Sequence, residues 1–148
     1  MIKIVGLQGD FITALKYLVE LDYDAVAAYE SAINRLESAP YKATLERFKI
    51  DHEGHIQGIS EFLRKNDEDA PTGPSVKSIM TQGKVVISNL FGDKAILRAM
   101  RSNEIDTNTA YGRINNYERI PDEIKQVLEQ GLKDEKKHLA WIEKSLEA

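Results

Sequence analysis

The chain has 148 residues, the length of one ordinary domain, and its hydrophobic content of 42% and charged content of 30% are typical of a globular protein. It contains no cysteine, which excludes disulfides, thiolate metal sites, iron–sulfur clusters and cysteine catalysis. A net charge of -4 offers no basic patch for nucleic acid. Since neither a run of about 18 apolar residues nor a secretory signal is recognisable, we expect no membrane span and a cytoplasmic location.

The first half of the chain predicts two long helices. Apolar residues recur at spacings of three and four from about residue 10 to 38, which is typical of an amphipathic helix, and Asp10 is a plausible N-cap. Pro40 interrupts this pattern, and a second helix is predicted over residues 41–65. The acidic segment DEDAPTGP at residues 67–74, with two prolines and a glycine, predicts a loop.

The second half predicts a similar pair. Residues 75–90 carry a shorter amphipathic stretch, interpreted as a partly helical crossover, and longer helices are predicted over about residues 94–116 and 121–147. Short connections within each pair and a long one, residues 67–93, between the pairs predict a single-domain, all-α four-helix bundle with a long crossover between helices 2 and 3. The alternative is a simple up-down bundle with a flexible middle loop.

The two halves of the sequence resemble each other. Residues 22–29 (DYDAVAAY) and 104–111 (EIDTNTAY) both place a carboxylate seven residues before a tyrosine, at an offset of 82 residues. An aspartate and a histidine in residues 51–55 (DHEGH) recur in residues 134–138 (DEKKH), at an offset of 83. The repeat predicts a duplicated helix pair and a pseudo-twofold axis, near which side chains from all four helices can converge.

The repeated motifs contain all three histidines of the chain. Glu135-x-x-His138 places a carboxylate and an imidazole on one side of a helix, which suits half of a transition-metal site. Residues equally far from the turn of a helical hairpin lie at the same height, so acids on the first and third helices should lie nearby. We therefore predict that six residues share one layer of the core and bind a metal: Asp22, His52, His55, Glu104, Glu135 and His138.

At these residues the chain resembles the ferritin-like superfamily, which includes ferritins, bacterioferritins, rubrerythrins and small bacterial ferritin-like bundles. There, the first and third helices each give a di-iron site one carboxylate, and the second and fourth each give Glu-x-x-His. The resemblance implies a ferritin-like fold and a divalent metal, with iron expected and zinc or manganese as alternatives. Two positions depart from the pattern: Asp22 replaces a glutamate, and His52 replaces the bridging glutamate.

The departure at His52 bears on the number of metals. A carboxylate can bridge two ions, whereas an imidazole bound through one ring nitrogen cannot. A single metal and an asymmetric pair are both open, in place of an ordinary di-iron centre.

The resemblance also implies residues that support the ligands. Across the pseudo-twofold axis, Asp51 would orient His138 and Asp134 would orient His55. The two tyrosines would hydrogen-bond nearby ligand carboxylates. The supporting residues are therefore Tyr29, Asp51, Tyr111 and Asp134.

Two of these predictions have alternatives, the ligand from the first helix and the orientation of His52. Glu30 competes with Asp22 as the ligand from the first helix, but its repeat partner is Gly112, which offers no ligand, so Asp22 is preferred. His52 has two orientations to choose between: inward toward the ligands, or outward beside Glu53.

Two functions follow from these residues. The first is a metal-binding protein with iron and oxygen or peroxide chemistry, such as ferroxidase activity, peroxide scavenging or metal holding. The alternative is a non-catalytic helical-bundle scaffold or stress protein with a degenerate metal site, so whether the protein is an enzyme stays open. A homo-oligomer, favoured as a dimer through the apolar segment 76–91, is expected, with neither nucleic acid nor membrane as a partner.

Overall fold

Four long helices account for most of the chain in a computed structural model, which describes residues 11–74 and 87–148. A short 3₁₀ turn, Ile87–Asn89, precedes the third helix, and no strand occurs among the described residues. The predicted all-α class is therefore confirmed. The helices are α1 (Ile12–Arg35), α2 (Ala39–Lys65), α3 (Asp93–Asn115) and α4 (Asp122–Glu147).

Local hydrogen bonds explain where the first two helices meet. Ser38 caps α2 by accepting a hydrogen bond from the backbone N–H of Tyr41 at 3.2 Å, and Pro40 occupies the first turn, where its missing N–H costs nothing. The second helix therefore begins two residues earlier than predicted, and α1 ends at Arg35 rather than near residue 38.

Parts of the predicted chain organisation fall outside the described residues. These are the Asp10 N-cap and most of the crossover segment 75–90, together with most of the apolar stretch 76–91 on which the predicted dimer depends.

Cross-helix contacts define the direction of each helix. Tyr29 of α1 contacts Glu104 of α3, and Tyr111, seven residues further along α3, contacts Asp22, seven residues earlier in α1. The two helices are therefore antiparallel. Since α1 and α2 form an antiparallel hairpin, α2 and α3 run in the same direction.

The parallel arrangement of α2 and α3 requires the link between them to cross the full length of the bundle. At its far end, the Asp93 carboxylate accepts hydrogen bonds from the backbone N–H groups of Glu37 and Ser38, beside the turn from α1 to α2. Arg35 also donates to the carbonyl oxygen of Leu90 at 2.8 Å. The link thus leaves α2 at one end of the bundle and enters α3 at the other. The predicted long crossover is confirmed, and the alternative up-down bundle is wrong.

The buried face of each helix contributes to two apolar clusters, one toward each end of the bundle. One cluster includes Leu15 of α1 and Leu63 of α2, and the other includes Leu45 of α2 and Met100 of α3. Between them lies a layer of buried polar and charged side chains. In the part of the chain that the structure describes, no helix combines the length and the apolar character needed to cross a membrane.

The packing of Tyr111 against Gly131 yields a test of the fold. A Cβ at residue 131 would overlap Cε1 of the Tyr111 ring and lie 2.9 Å from its Cδ1, whereas a Cβ at Gly112 would meet no atom within 4 Å. We expect Gly131→Ala to lower the free energy of unfolding by about 1–3 kcal/mol through overpacking. Gly112→Ala, the matched control, should raise it by up to about 1 kcal/mol through helix propensity. Urea denaturation of both variants measures the difference, and equal effects would contradict the packing.

Candidate metal centre

The six predicted ligands occupy one layer in the centre of the bundle. Each is buried, with at most 5% of its surface exposed. Burial of an ionisable group is costly unless the group is paired or bound to a metal. Pairing or metal binding must therefore compensate the cost of burying these six groups. Its members are Asp22 of α1, His52 and His55 of α2, Glu104 of α3, and Glu135 and His138 of α4.

The structure places Asp22 and His52 in the layer and Glu30 outside it. Asp22 is fully buried, whereas Glu30 points to solvent and lies 3.9 Å from the ammonium of Lys49. His52 is also fully buried and faces the layer, while its neighbour Glu53 is exposed. The reason is helix phase: residues 52 and 55 share one face of α2, and residue 53 is rotated away by about 100°.

Two tyrosines link α1 and α3 across the pseudo-twofold axis. The Tyr29 hydroxyl donates to Oε2 of Glu104 at 2.6 Å, and the Tyr111 hydroxyl donates to Oδ2 of Asp22 at 2.6 Å. Burial and the adjacent carboxylate raise the pKa of each tyrosine well above its usual value, so both stay neutral donors. Each tyrosine thus holds the carboxylate that the opposite half of the repeat contributes.

Two aspartates link α2 and α4 in the same crossed manner. Nε2 of His55 lies 2.8 Å from Oδ2 of Asp134, and Nε2 of His138 lies 2.8 Å from Oδ2 of Asp51. An ionised carboxylate only accepts, so Nε2 of each ring donates this hydrogen bond, and Nδ1 is the nitrogen left to bind a metal. The outer nitrogen of each histidine is therefore fixed, and the inner one faces the layer. Such carboxylate–histidine pairs commonly orient metal-binding histidines.

Several atoms that face the layer have no hydrogen-bond partner. Among the described residues, five buried side-chain atoms lack a partner. Four of them belong to this layer: Nδ1 of His55, Nδ1 of His138 and both carboxylate oxygens of Glu135. Each unsatisfied buried polar atom costs about 1–3 kcal/mol. Since the fifth, Oγ of Ser60, lies elsewhere, the unsatisfied polar atoms are concentrated at the centre of the bundle.

The spacing of the donor atoms suits two metal positions. Nδ1 of His55 lies 3.4 Å from Oδ1 of Asp22 and 3.4 Å from Oε2 of Glu135. Nδ1 of His138 lies 3.5 Å from Oε2 of Glu104 and 3.9 Å from Oε1 of Glu135. Ligands bound to one ion at about 2.0–2.2 Å lie roughly 3–3.5 Å from each other, so the distances of 3.4 and 3.5 Å fit a bound ion, and the distance of 3.9 Å between His138 and Glu135 is longer than this range.

The donors form two overlapping groups. We call the group Asp22, His52, His55 and Glu135 the Asp22 half-site, and the group His52, Glu104, Glu135 and His138 the Glu104 half-site. In each group, one ligand atom from every residue lies within 4.8 Å of the others. Nitrogen and carboxylate donors in this combination suit iron, manganese and zinc. The residues therefore fit the metal that the sequence predicts.

His52 and Glu135, which belong to both half-sites, have strongly altered acidities. Burial by itself would lower the pKa of His52, but Glu135, Asp22 and Glu104 together raise it well above its usual value. Burial raises the pKa of Glu135 well above its usual value, and the Glu104 and Asp22 carboxylates add to this effect against the opposing charge of His52. Metal ligands must be deprotonated, so a bound cation would oppose these shifts and favour the unprotonated form of both residues.

The remaining carboxylates stay ionised. Burial would raise the pKa of Asp22, but the contacts with His52 and His55 lower it. Burial would likewise raise the pKa of Glu104, and the contacts with His138 and His52 lower it. Asp22 and Glu104 therefore enter the layer as negative charges.

Some supporting residues could not be found by inspecting the repeat. Thr107, one turn after Glu104, donates from its hydroxyl to Oε1 of Glu104 at 3.3 Å. Its counterpart in the repeat is Ala25, so the comparison of halves gives no signal. Phe48 stacks on the His138 ring with centroids 4.2 Å apart. Its position three residues after a predicted ligand, on the same face of α3, is the sequence feature by which Thr107 could have been found.

An acidic groove between α2 and α4 reaches the layer at His55. It has a volume of about 510 Å³. Gly54 and Gly58, on either side of His55 along α2, line it. A Cβ at Gly54 would meet no atom within 4 Å, whereas a Cβ at Gly58 would lie 3.1 Å from Cγ1 of Val127. Four carboxylates also line the groove, and two of them are the histidine partners: Asp51, Asp122, Glu123 and Asp134.

Comparisons with known proteins place the chain in a family. A family model described as "Domain of unknown function (DUF2383)" matches residues 10–117, which end before α4 begins. A solved structure described as "ferritin like, diiron-carboxylate proteins from Bacillus anthracis str. Ames" shares the fold, with a TM-score of 0.71 and 17% identity over 93% of this chain and 96% of that chain. No curated protein matches. The chain therefore belongs to the DUF2383 family and has a ferritin-like fold.

Proposed function

We propose that this protein binds a divalent metal, iron(II) in particular, in the buried layer and serves iron and oxygen or peroxide chemistry. The observation that carries the proposal is the set of four buried atoms without hydrogen bonds, on His55, Glu135 and His138. Metal bound in the layer would engage atoms of this set as ligands. Without it, their desolvation has no compensation.

The donor set suits iron(II), manganese(II) and zinc(II), so the preference for iron rests on two further arguments. Iron(II) sites that activate oxygen use mixed imidazole and carboxylate ligands of this kind. The structurally similar Bacillus anthracis protein is described as a diiron-carboxylate protein. When bound, iron(II) supplies electrons to oxygen or peroxide. Zinc and manganese accept the same ligands and are the alternatives.

The site is preorganised for a cation by hydrogen bonds within the chain. Tyr29 and Tyr111 hold the two carboxylates of α1 and α3, and Asp51 and Asp134 hold the two histidine rings. This preorganisation reduces the conformational cost of binding. The apolar clusters on both sides exclude bulk water from the layer. The acidic groove beside His55 gives a cation or a small oxidant a route to the layer.

One observation favours the alternative, a scaffold with a degenerate site. His52 bonds Asp22 at 2.7 Å and Glu104 at 3.2 Å, so a protonated ring supplies an internal positive charge without a metal. The unsatisfied atoms of His55, Glu135 and His138 are not explained by this pairing. We therefore favour metal binding.

Metal binding predicts a gain in thermal stability. Protein purified without chelator should contain iron, manganese or zinc by mass spectrometry. Iron(II) added without oxygen at about 100 times its Kd should stabilise the metal-free protein by roughly 2.7 kcal/mol. For a chain of this size, that corresponds to a rise in Tm of about 5–10 °C. The double variant His55→Leu/His138→Leu is the control and should show no rise. Absence of all three metals, with a Tm unchanged by iron(II), would leave the scaffold as the better account.

The supporting carboxylates yield a second prediction. Asp51→Asn should weaken iron(II) affinity about 10–100-fold, because an amide orients the His138 ring less strongly than a carboxylate. Glu123→Gln removes a charge from the same groove at an exposed position and should change affinity by less than about threefold. Competition with a metal indicator measures both. Equal losses in the two variants would mean that only the groove charge matters.

A further inference from the structure

We propose that the layer binds a single metal ion tightly, at the Glu104 half-site, and that His52 prevents the Asp22 half-site from being an equivalent second position. The inference rests on the proposed metal-binding function and concerns how many ions bind and where. It follows from the orientation of one ring and the unequal surroundings of the two half-sites.

The first step is the orientation of His52. Its Nδ1 lies 2.7 Å from Oδ1 of Asp22, whose other oxygen already accepts from Tyr111. Its Nε2 lies 3.2 Å from Oε2 of Glu104. The shorter of two hydrogen bonds to carboxylates is the stronger one. A ring that binds a metal through one nitrogen should therefore keep its hydrogen on Nδ1, facing Asp22, and offer Nε2.

The second step is the count of free donors. Nε2 of His52 also lies 3.5 Å from Oε1 of Glu135, so it faces the Glu104 half-site. That half-site then has two nitrogens and two carboxylates, enough for a four-coordinate ion. The Asp22 half-site receives an N–H group from His52, which repels a cation. The carboxylates do not distinguish the half-sites, since both oxygens of Asp22 and both oxygens of Glu104 already accept hydrogen bonds. The difference lies in the nitrogens: the Asp22 half-site keeps only Nδ1 of His55, whereas the Glu104 half-site has Nδ1 of His138 and Nε2 of His52.

The third step excludes a bridging His52. The two oxygens of Glu135 face different half-sites, Oε2 toward His55 and Oε1 toward His138. Carboxylate lone pairs can converge and draw two ions together, whereas the lone pairs on the two nitrogens of an imidazole diverge and hold ions apart. A ring that bridged two ions would also have to lose both hydrogens. His52 and Glu135 therefore cannot bridge the same pair of ions.

The surroundings of the half-sites agree with this asymmetry. Glu104 has an additional donor in Thr107, and the His138 ring is covered by Phe48. Asn108 joins the helices behind the Glu104 half-site by donating to the backbone carbonyls of both Glu104 and Glu135, at 2.8 and 3.0 Å. His55, in contrast, borders the groove. The Glu104 half-site is thus the more enclosed and better supported of the two.

Anaerobic titration with iron(II), repeated with redox-silent zinc(II), tests the inference. Calorimetry and metal analysis after gel filtration should give one tightly bound ion per chain. His138→Ala should weaken the affinity for the ion by more than about 100-fold, because removal of a supporting residue alone weakens it about 10–100-fold. His55→Ala, its counterpart in the repeat, should retain one ion with affinity within about tenfold. His52→Glu, which restores a carboxylate able to bridge, should bind two.

The outcomes separate the inference from the proposed function. Two tight ions in the natural protein, or equal losses in His55→Ala and His138→Ala, would overturn the single-site inference while supporting metal binding. No binding of either metal by the natural protein would overturn the proposed function itself. Since the stoichiometry of the natural protein decides the first question, a variant that fails to fold does not weaken the test.

Discussion

The structure depends on one constraint: six ionisable side chains are buried together between two apolar clusters of a helical bundle. Charges in such a place are tolerated only when hydrogen bonds and opposite charges compensate their desolvation. Tyrosine and aspartate partners compensate the outer atoms of the layer. The inner atoms of Glu135, His55 and His138 have no hydrogen-bond partner, and a cation in the Glu104 half-site would engage atoms of Glu135 and His138.

The same contacts hold the duplicated halves together. The tyrosine and aspartate–histidine hydrogen bonds around the layer cross between halves: from α1 to α3 through the tyrosines, and from α2 to α4 through the aspartate–histidine pairs. These bonds fix the rotation and height of each helix relative to its opposite. The polar centre therefore helps to hold the bundle together, in addition to the apolar faces. The half-sites differ because the first half of the repeat has His52 at the position where the second half has Glu135.

Much of the layer could be predicted from the sequence, because a helix converts spacing directly into a shared face. The repeat predicted that Asp22 and Glu104 lie at the same height in the bundle. It also argued against Glu30 as a ligand, because the corresponding residue of the second half, Gly112, has no ligand atom. The spacing of His52 and His55 places both on one face of α2, but the sequence alone does not say whether this face turns inward, since that depends on how α2 is rotated against three other helices. Thr107 and the groove beside His55 have no counterpart in the repeat, so comparison of the halves gave no sign of them.

The claim that the unsatisfied atoms face a metal is tested most directly by a crystal structure of iron-loaded protein with anomalous scattering measured at the iron edge. The account predicts a strong anomalous peak within coordination distance of Nδ1 of His138 and a carboxylate oxygen of Glu135. Absence of a peak from the layer, with His52 still bonded to both Asp22 and Glu104, would contradict it.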